Sequence, residues 1–154
     1  MKPVMIGSKK MIKVFLGGTC GDSKWRDSLM PLLKINYFNP VVEDWTEKCQ
    51  AEEIKQRVEC NYCLYVLTPR TSSTYSIAEV VDDSNKQPQK TILCILEKDV
   101  DARYNKQQLK HMLQVARLVR ENGARYFNSL EGCADFLNNI FDKDEMTELK
   151  YFKI

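Results

Sequence analysis

Glu79, in the stretch Tyr75-Ser76-Ile77-Ala78-Glu79-Val80-Val81-Asp82-Asp83, is the residue whose setting points most directly to chemistry. Ile77, Val80 and Val81 recur at helical spacing, so a helix is expected here with Glu79 on its first turn. A carboxylate near the positive end of a helix dipole tends to stay ionised. Aimed into a pocket, it suits a nucleophile or an electrostatic stabiliser of an oxocarbenium-like transition state. The plainer alternative, that Glu79 only complements the dipole, is favoured by composition alone, and Asp82 and Asp83 read as solvated helix charges. Glu53 lies on a carboxylate-rich helix, where spacing alone favours a surface role.

A second feature is the loop Gly17-Gly18-Thr19-Cys20-Gly21-Asp22. Glycines let a backbone approach a ligand closely, and N–H groups at a following helix start can face an anion or a sugar hydroxyl. The spacing is neither GxGxxG nor a P-loop, since no Gly-Lys-Ser/Thr follows, so an ordinary tight turn fits equally well. Trp25, Tyr37, Trp45 and Tyr75 offer rings on which a planar base could stack, although aromatics at such positions are more often core. His111 falls on a long helix away from these loops, where a surface or packing role is expected.

The rest of the composition narrows the field. Lys and Arg number 23 against 21 Asp and Glu, a formal +2 that gives no dense positive field, so bulk nucleic acid is not an expected partner. The six cysteines sit in segments that read as strands and helices, as reduced thiols do, and Cys60-Asn61-Tyr62-Cys63 lacks the second ligand pair of a zinc site. No metal and no cofactor is expected. Apolar runs such as Thr91 to Leu96 are too short to cross a bilayer, and Met1 to Gly7 has no secretory h-region, so a cytoplasmic protein without a membrane partner is expected.

Positioning these residues requires an ordered set of elements. Ile12 to Leu16 reads as a strand ending at the glycine loop, with Asp22 or Ser23 capping a helix that carries Trp25, Leu29, Leu32 and Leu33. Tyr37 to Val42 reads as a short strand, tolerating Pro40 at an edge, and Thr46 opens a polar helix to about Glu59. Tyr62 to Thr68 is almost continuously apolar, as a central strand buried on both faces is. After the helix of Glu79 come a strand from Lys90 to Leu96, a helix from Tyr104 to Asn122, a strand from Ala124 to Phe127 and a helix capped by Ser129 that runs to Phe141. This alternation predicts an α/β fold: a doubly wound three-layer sandwich on a mostly parallel sheet of about five strands, flavodoxin-like or Rossmann-like. One domain is expected over residues 12–141, between an N-terminal tail, 1–11, and a charged C-terminal tail, 142–154. Ligands of such sheets bind beyond the carboxyl ends of the strands. The glycine loop, the segment Asn39 to Thr46 with Asp44 and Trp45, and the Ser/Thr loop before Glu79 should meet there.

Taken together, Val14-Phe15-Leu16-Gly17-Gly18-Thr19, the strand Asn61 to Thr68, and Ser73-Thr74-Tyr75-Ser76-Ile77-Ala78-Glu79 resemble the nucleoside 2-deoxyribosyltransferase-like superfamily, which includes deoxynucleoside-monophosphate N-glycosidases. The resemblance covers roughly residues 12–97, and is strongest to a short branch carrying Phe38-Asn39-Pro40-Val41-Val42 and Asp44-Trp45-Thr46. It implies cleavage or transfer at the N-glycosidic bond of a 2′-deoxynucleoside or its 5′-monophosphate. Glu79 matches the glutamate that attacks the anomeric carbon, and Glu53, before Ile54, the carboxylate that helps handle base or sugar. Ser73 takes the place of a serine that holds phosphate in the monophosphate hydrolases, and Thr19 that of a polar contact to sugar or phosphate. Gly17, Gly18, Asp44, Trp45 and Tyr75 complete the expected binding set for a small nucleoside or nucleotide, in a homodimer or higher homo-oligomer. Two departures stand out. Thr74-Tyr75-Ser76 occupies a stretch where the family usually has glycine, so Tyr75 is expected to narrow the pocket, and Asn61 replaces a common Asp. An NAD-type glycohydrolase and a non-catalytic nucleotide-binding module are the competing readings.

Overall fold

The computed structural model describes residues 12–71 and 74–140. Ser73, the two expected tails and Phe141 lie outside the described residues. The elements run in the order β1 (Lys13–Gly18), α1 (Trp25–Leu29), β2 (Asn36–Phe38), α2 (Glu47–Glu59), β3 (Tyr62–Leu67), α3 (Tyr75–Lys86), β4 (Thr91–Ile95), β5 (Lys98–Asp99), β6 (Ala102–Arg103), α4 (Lys106–Glu121), β7 (Arg125–Phe127) and α5 (Leu130–Asn138).

Five strands form one parallel sheet in the order β2-β1-β3-β4-β7. The expected three-layer α/β sandwich is thus present. β3 is its middle strand, and residues 63–67 are fully buried, because side chains alternate between two covered faces. On one face Phe15, Tyr65, Leu67 and Leu93 pack with Val80 of α3 and with Met112, Ala116 and Val119 of α4. On the other, Val14, Leu16, Leu64 and Ile92 pack with Trp25 and Leu29 of α1 and with Cys133 and Leu137 of α5. The strand order reverses between β1 and β3, which opens a crevice at their carboxyl ends.

Local chemistry sets most helix starts as expected. Thr46 caps α2 by accepting the Cys49 N–H, Ser129 caps α5 by accepting that of Gly132, and Asn105 and Gln108 form a reciprocal capping box on α4. α1 differs from expectation. Lys24 stands at its N-cap with no side-chain cap, because the Ser23 hydroxyl donates to Asp99 instead. The helix also stops after one turn and passes into a 3₁₀ turn, Met30–Leu32, since Pro31 has no N–H to return to the helix and Leu32 is left exposed. The second strand is likewise shorter than the sequence suggests, with Val41 and Val42 exposed beyond it. The antiparallel pair β5–β6 is an addition that no sequence pattern announced.

A two-carboxylate cleft at the switch point

A cleft of about 200 Å³ opens where β1, β2 and β3 end. Gly17, Gly18, Thr19 and Cys20 line it from the β1 turn, Pro40 from the β2 exit and Thr71 from the β3 exit, while Arg26 of α1, Glu53 of α2 and Tyr75, Ser76 and Glu79 of α3 supply the helix side. The sequence thus brings Glu53, Glu79, the glycine turn and Tyr75 to one place. Asp44 and Trp45 are both exposed and do not line this cleft, and Pro40 is the residue of Asn39 to Thr46 that does. Trp25 and Tyr37 lie outside it as well: Trp25 is core, donating its indole N–H to the Thr19 carbonyl at 2.8 Å. His111 is exposed on α4.

The turn after β1 is fixed by its own chain. Gly18 has φ +113°, and a Cβ there would lie 2.1 Å from the Val66 carbonyl oxygen. Its glycine identity therefore serves the close approach of β1 to β3. A Cβ on Gly17 would fall 2.9 Å from the Tyr65 ring, so that glycine makes room for a core aromatic. The Thr19 hydroxyl, expected to face substrate, closes a ring within the protein. It accepts the Thr68 N–H at 3.0 Å and pairs with the Thr71 hydroxyl, which itself donates to the Thr68 carbonyl at 2.8 Å, so the Thr19 proton is directed to Thr71. Arg26, buried beneath the turn and lying over the Trp25 ring, donates from Nε and Nη2 to the Leu16 carbonyl and from Nη1 to that of Thr19. Burial lowers its pKa, but a guanidinium stays charged.

The two carboxylates differ from the exposed glutamates around them. Glu79 lies in the second turn of α3, because the helix begins at Tyr75, and its side chain is only 12% exposed. Burial is the leading influence on its pKa and pushes it up; Arg57 opposes this, while Glu53 and Asp83 add to it. The expectation of a first-turn carboxylate kept ionised by the dipole is therefore corrected: a dipole effect fades beyond the first turn, and loss of water dominates. Glu53 is also pushed up by burial, against the pull of Arg57 and Arg26.

Behind Glu79 lies a polar cluster in which Asp83, expected as a solvated helix charge, is instead buried, while Asp82 is exposed; Arg57 was not anticipated at all. Arg57 Nη1 stands 3.8 Å from Glu79 Oε1, while Nη2 and Nε donate to the two oxygens of Asp83 at 2.7 and 3.2 Å. The Tyr65 hydroxyl also donates to Asp83. A signal for these partners was available. Arg57 follows Glu53, and Asp83 follows Glu79, by one helical turn, the spacing that puts charges on one helix face.

Away from the cleft, Cys60 and Cys63 are buried and burial pushes both thiols up, Cys63 to about 12, so this CxxC pair belongs to the core. Among the described residues there is no cluster suited to hold a metal ion and no helix long and apolar enough to cross a membrane.

Neither curated proteins nor solved structures show a match to this chain. The family model described as nucleoside 2-deoxyribosyltransferase like matches residues 11–98. That span holds every residue lining the cleft, both carboxylates and the Arg57–Asp83 pair, and leaves α4 and α5 outside. Covering more than half of the chain, the match establishes that this protein belongs to the nucleoside 2-deoxyribosyltransferase-like family.

Proposed function

We propose that the cleft binds a 2′-deoxynucleoside or its 5′-monophosphate and cleaves or exchanges its N-glycosidic bond, with Glu79 as the nucleophile. The observation that carries this reading is the Glu79 carboxylate itself, withdrawn from water in a cleft at the β1/β3 switch point, with a second carboxyl, Glu53, on the same wall. In the first step a Glu79 oxygen bonds to the anomeric carbon as the C1′–N bond breaks and its electron pair leaves with the base. A proton delivered to the base makes that departure easier, and Glu53, pushed up by burial, holds its proton nearer neutrality than an exposed glutamate does. Water, or a second base, then attacks the glycosyl ester and frees Glu79. Lacking a 2′-hydroxyl, a deoxyribosyl cation is less destabilised, so a placed carboxylate can suffice. The resemblance adds Ser73 as a phosphate contact, and the aromatic face of Tyr75 at the rim suits a stacked base.

The test is product chromatography after incubation with deoxynucleosides, deoxynucleoside monophosphates and NAD, with and without a second free base. Release of base that falls by about a thousandfold or more in Glu79→Ala supports the assignment. Equal release by wild type and Glu79→Ala from every substrate sinks it. Exchange with the added base identifies a transferase and release alone a hydrolase. Nicotinamide release from NAD, or tight binding with no release, would replace this reading with one of its competitors.

A further inference from the structure

Asp83 is the most heavily used buried carboxylate near the cleft, and it touches no cleft surface itself. Its side chain is 5% exposed and receives three donors: Arg57 Nη2, Arg57 Nε and the Tyr65 hydroxyl. This two-point hold on one edge of a planar guanidinium fixes where the remaining nitrogen points. That nitrogen, Nη1, faces Glu79 at 3.8 Å, close enough for a strong Coulombic pull and too far for a hydrogen bond. The hold is built into the core. Tyr65 sits on the central strand, and its ring occupies the space that Gly17 leaves open.

We infer that Asp83 is a positioning residue, which clamps Arg57 edge-on so that the cation lies within electrostatic reach of Glu79 but outside hydrogen-bonding distance. A guanidinium free to turn would meet a neighbouring carboxylate fork to fork and engage both of its oxygens. A carboxylate so engaged is a poor nucleophile. Held back, Arg57 favours the ionised form of Glu79 while leaving its lone pairs available to a substrate carbon. The inference rests on the reading of Glu79 as nucleophile. The other charged or titratable groups around Glu79 are Glu53 from α2, Cys20 and Arg26 from the β1 turn and α1, and Tyr75 from its own helix.

The test is a double-mutant cycle read by carbon-13 NMR titration of glutamate carboxyls, with the Glu79 signal assigned by its loss in Glu79→Gln. Arg57→Gln should move the Glu79 midpoint up by about one pH unit or more, since a cation within 4 Å is removed. Asp83→Asn should move it down by a comparable amount, because the released guanidinium swings onto Glu79. In the Arg57→Gln background the same Asp83→Asn change should produce only a small fraction of that fall. An equal fall in both backgrounds would show that Asp83 acts through space by its own charge, and the clamp would be overturned. Should Asp83→Asn alone not fold, because the half-buried Arg57 loses its two-point partner, Arg57→Gln is compared with the double variant, in which both members of the pair are gone. A fall of a full unit between those two proteins overturns the clamp as well. The titration needs no turnover, so its outcome is separate from that of the base-release assay. Absence of release from every substrate would remove the nucleophile reading whatever the titration shows, and release with a flat cycle would remove the clamp alone.

Discussion

Replacing Gly18 by alanine separates two explanations of the glycine turn. A glycine that only lets substrate approach can be replaced with little effect on folding, whereas the geometry at Gly18 implicates the join between β1 and β3. With φ at +113° and a Cβ placed 2.1 Å from the Val66 oxygen and 2.7 Å from its nitrogen, alanine cannot be seated without moving backbone. Holding a non-glycine residue in this region costs about 1–3 kcal/mol. Opening the turn to relieve the clash gives up the Thr19 N–H to Val66 carbonyl bond, now 2.9 Å, worth about 1 kcal/mol. The expected loss is therefore about 2–4 kcal/mol, a large share of the roughly 5–15 kcal/mol that stabilises a typical domain. Urea unfolding followed by circular dichroism measures it directly, and the melting temperature should fall on the order of 10 °C. An alanine variant that unfolds at the wild-type urea concentration but binds nucleotide poorly would refute this account and restore the ligand-approach reading.

Three further perturbations test other parts of the structure. Thr19→Val removes the acceptor of the buried Thr68 N–H and should cost about 1–3 kcal/mol in urea unfolding, while Thr19→Ser, which keeps the hydroxyl ring, should stay near wild type. Val100, at the tip between β5 and β6, has φ +58° and is 75% exposed, so Val100→Gly relieves strain without emptying the core and should stabilise by about 0.5–1 kcal/mol; a destabilised variant would contradict that. Glu79 has a folded pKa raised above its ordinary value, so its protonated form is the one that favours folding: that contribution is full below the ordinary glutamate range and is lost as pH rises through the folded pKa. Glu79→Gln, which imitates the protonated form, should thus raise the urea midpoint at pH 7 relative to wild type and change it little at pH 4; an equal difference at both pH values would disprove the sign.

What could be read from the sequence follows from where the information is local. The run Tyr62 to Leu67 is apolar on both alternating faces, as a central parallel strand between alternating helices is, so its place in the sheet was legible. Thr46 and Ser129 announce their helices because a cap is a contact between near neighbours. The hairpin β5–β6 was not legible, since its two-residue strands are too short to show a period. Its effect is nevertheless far-reaching. Asp99 accepts from Ser23 after β1 and from Thr68 after β3, so it ties together the two loops that flank the cleft, across 76 and 31 residues of sequence. The Arg57–Asp83 contact is equally non-local: helical spacing places each residue on the face of its helix that carries a cleft glutamate, but the docking of α2 beside α3 decides that they meet.

The two departures from the family pattern also separate once they are placed. Asn61 lies just before β3, at the end of the sheet opposite the cleft, where its side-chain oxygen accepts the Lys13 N–H at 2.9 Å and its own N–H is donated to the Lys13 carbonyl. An amide does this work as well as a carboxylate, and without a charge to desolvate, so the exchange of Asp for Asn there bears on strand pairing and leaves the electrostatics of Glu79 alone. Tyr75 is different. It starts α3, lines the cleft and is 68% exposed, which places it at the rim. On the proposed reading, a large side chain in that place would act on which molecules enter and how they are oriented. Burial is the leading influence on the charge of Glu79, and the charged groups that adjust it (Arg57, Glu53 and Asp83) lie on α2 or farther along α3. On the proposed reading, the charged groups that tune Glu79 and the ring that meets an incoming molecule are therefore different residues, so a substitution at Tyr75 would reach Glu79 through its exposure to water and not through its ion pairs.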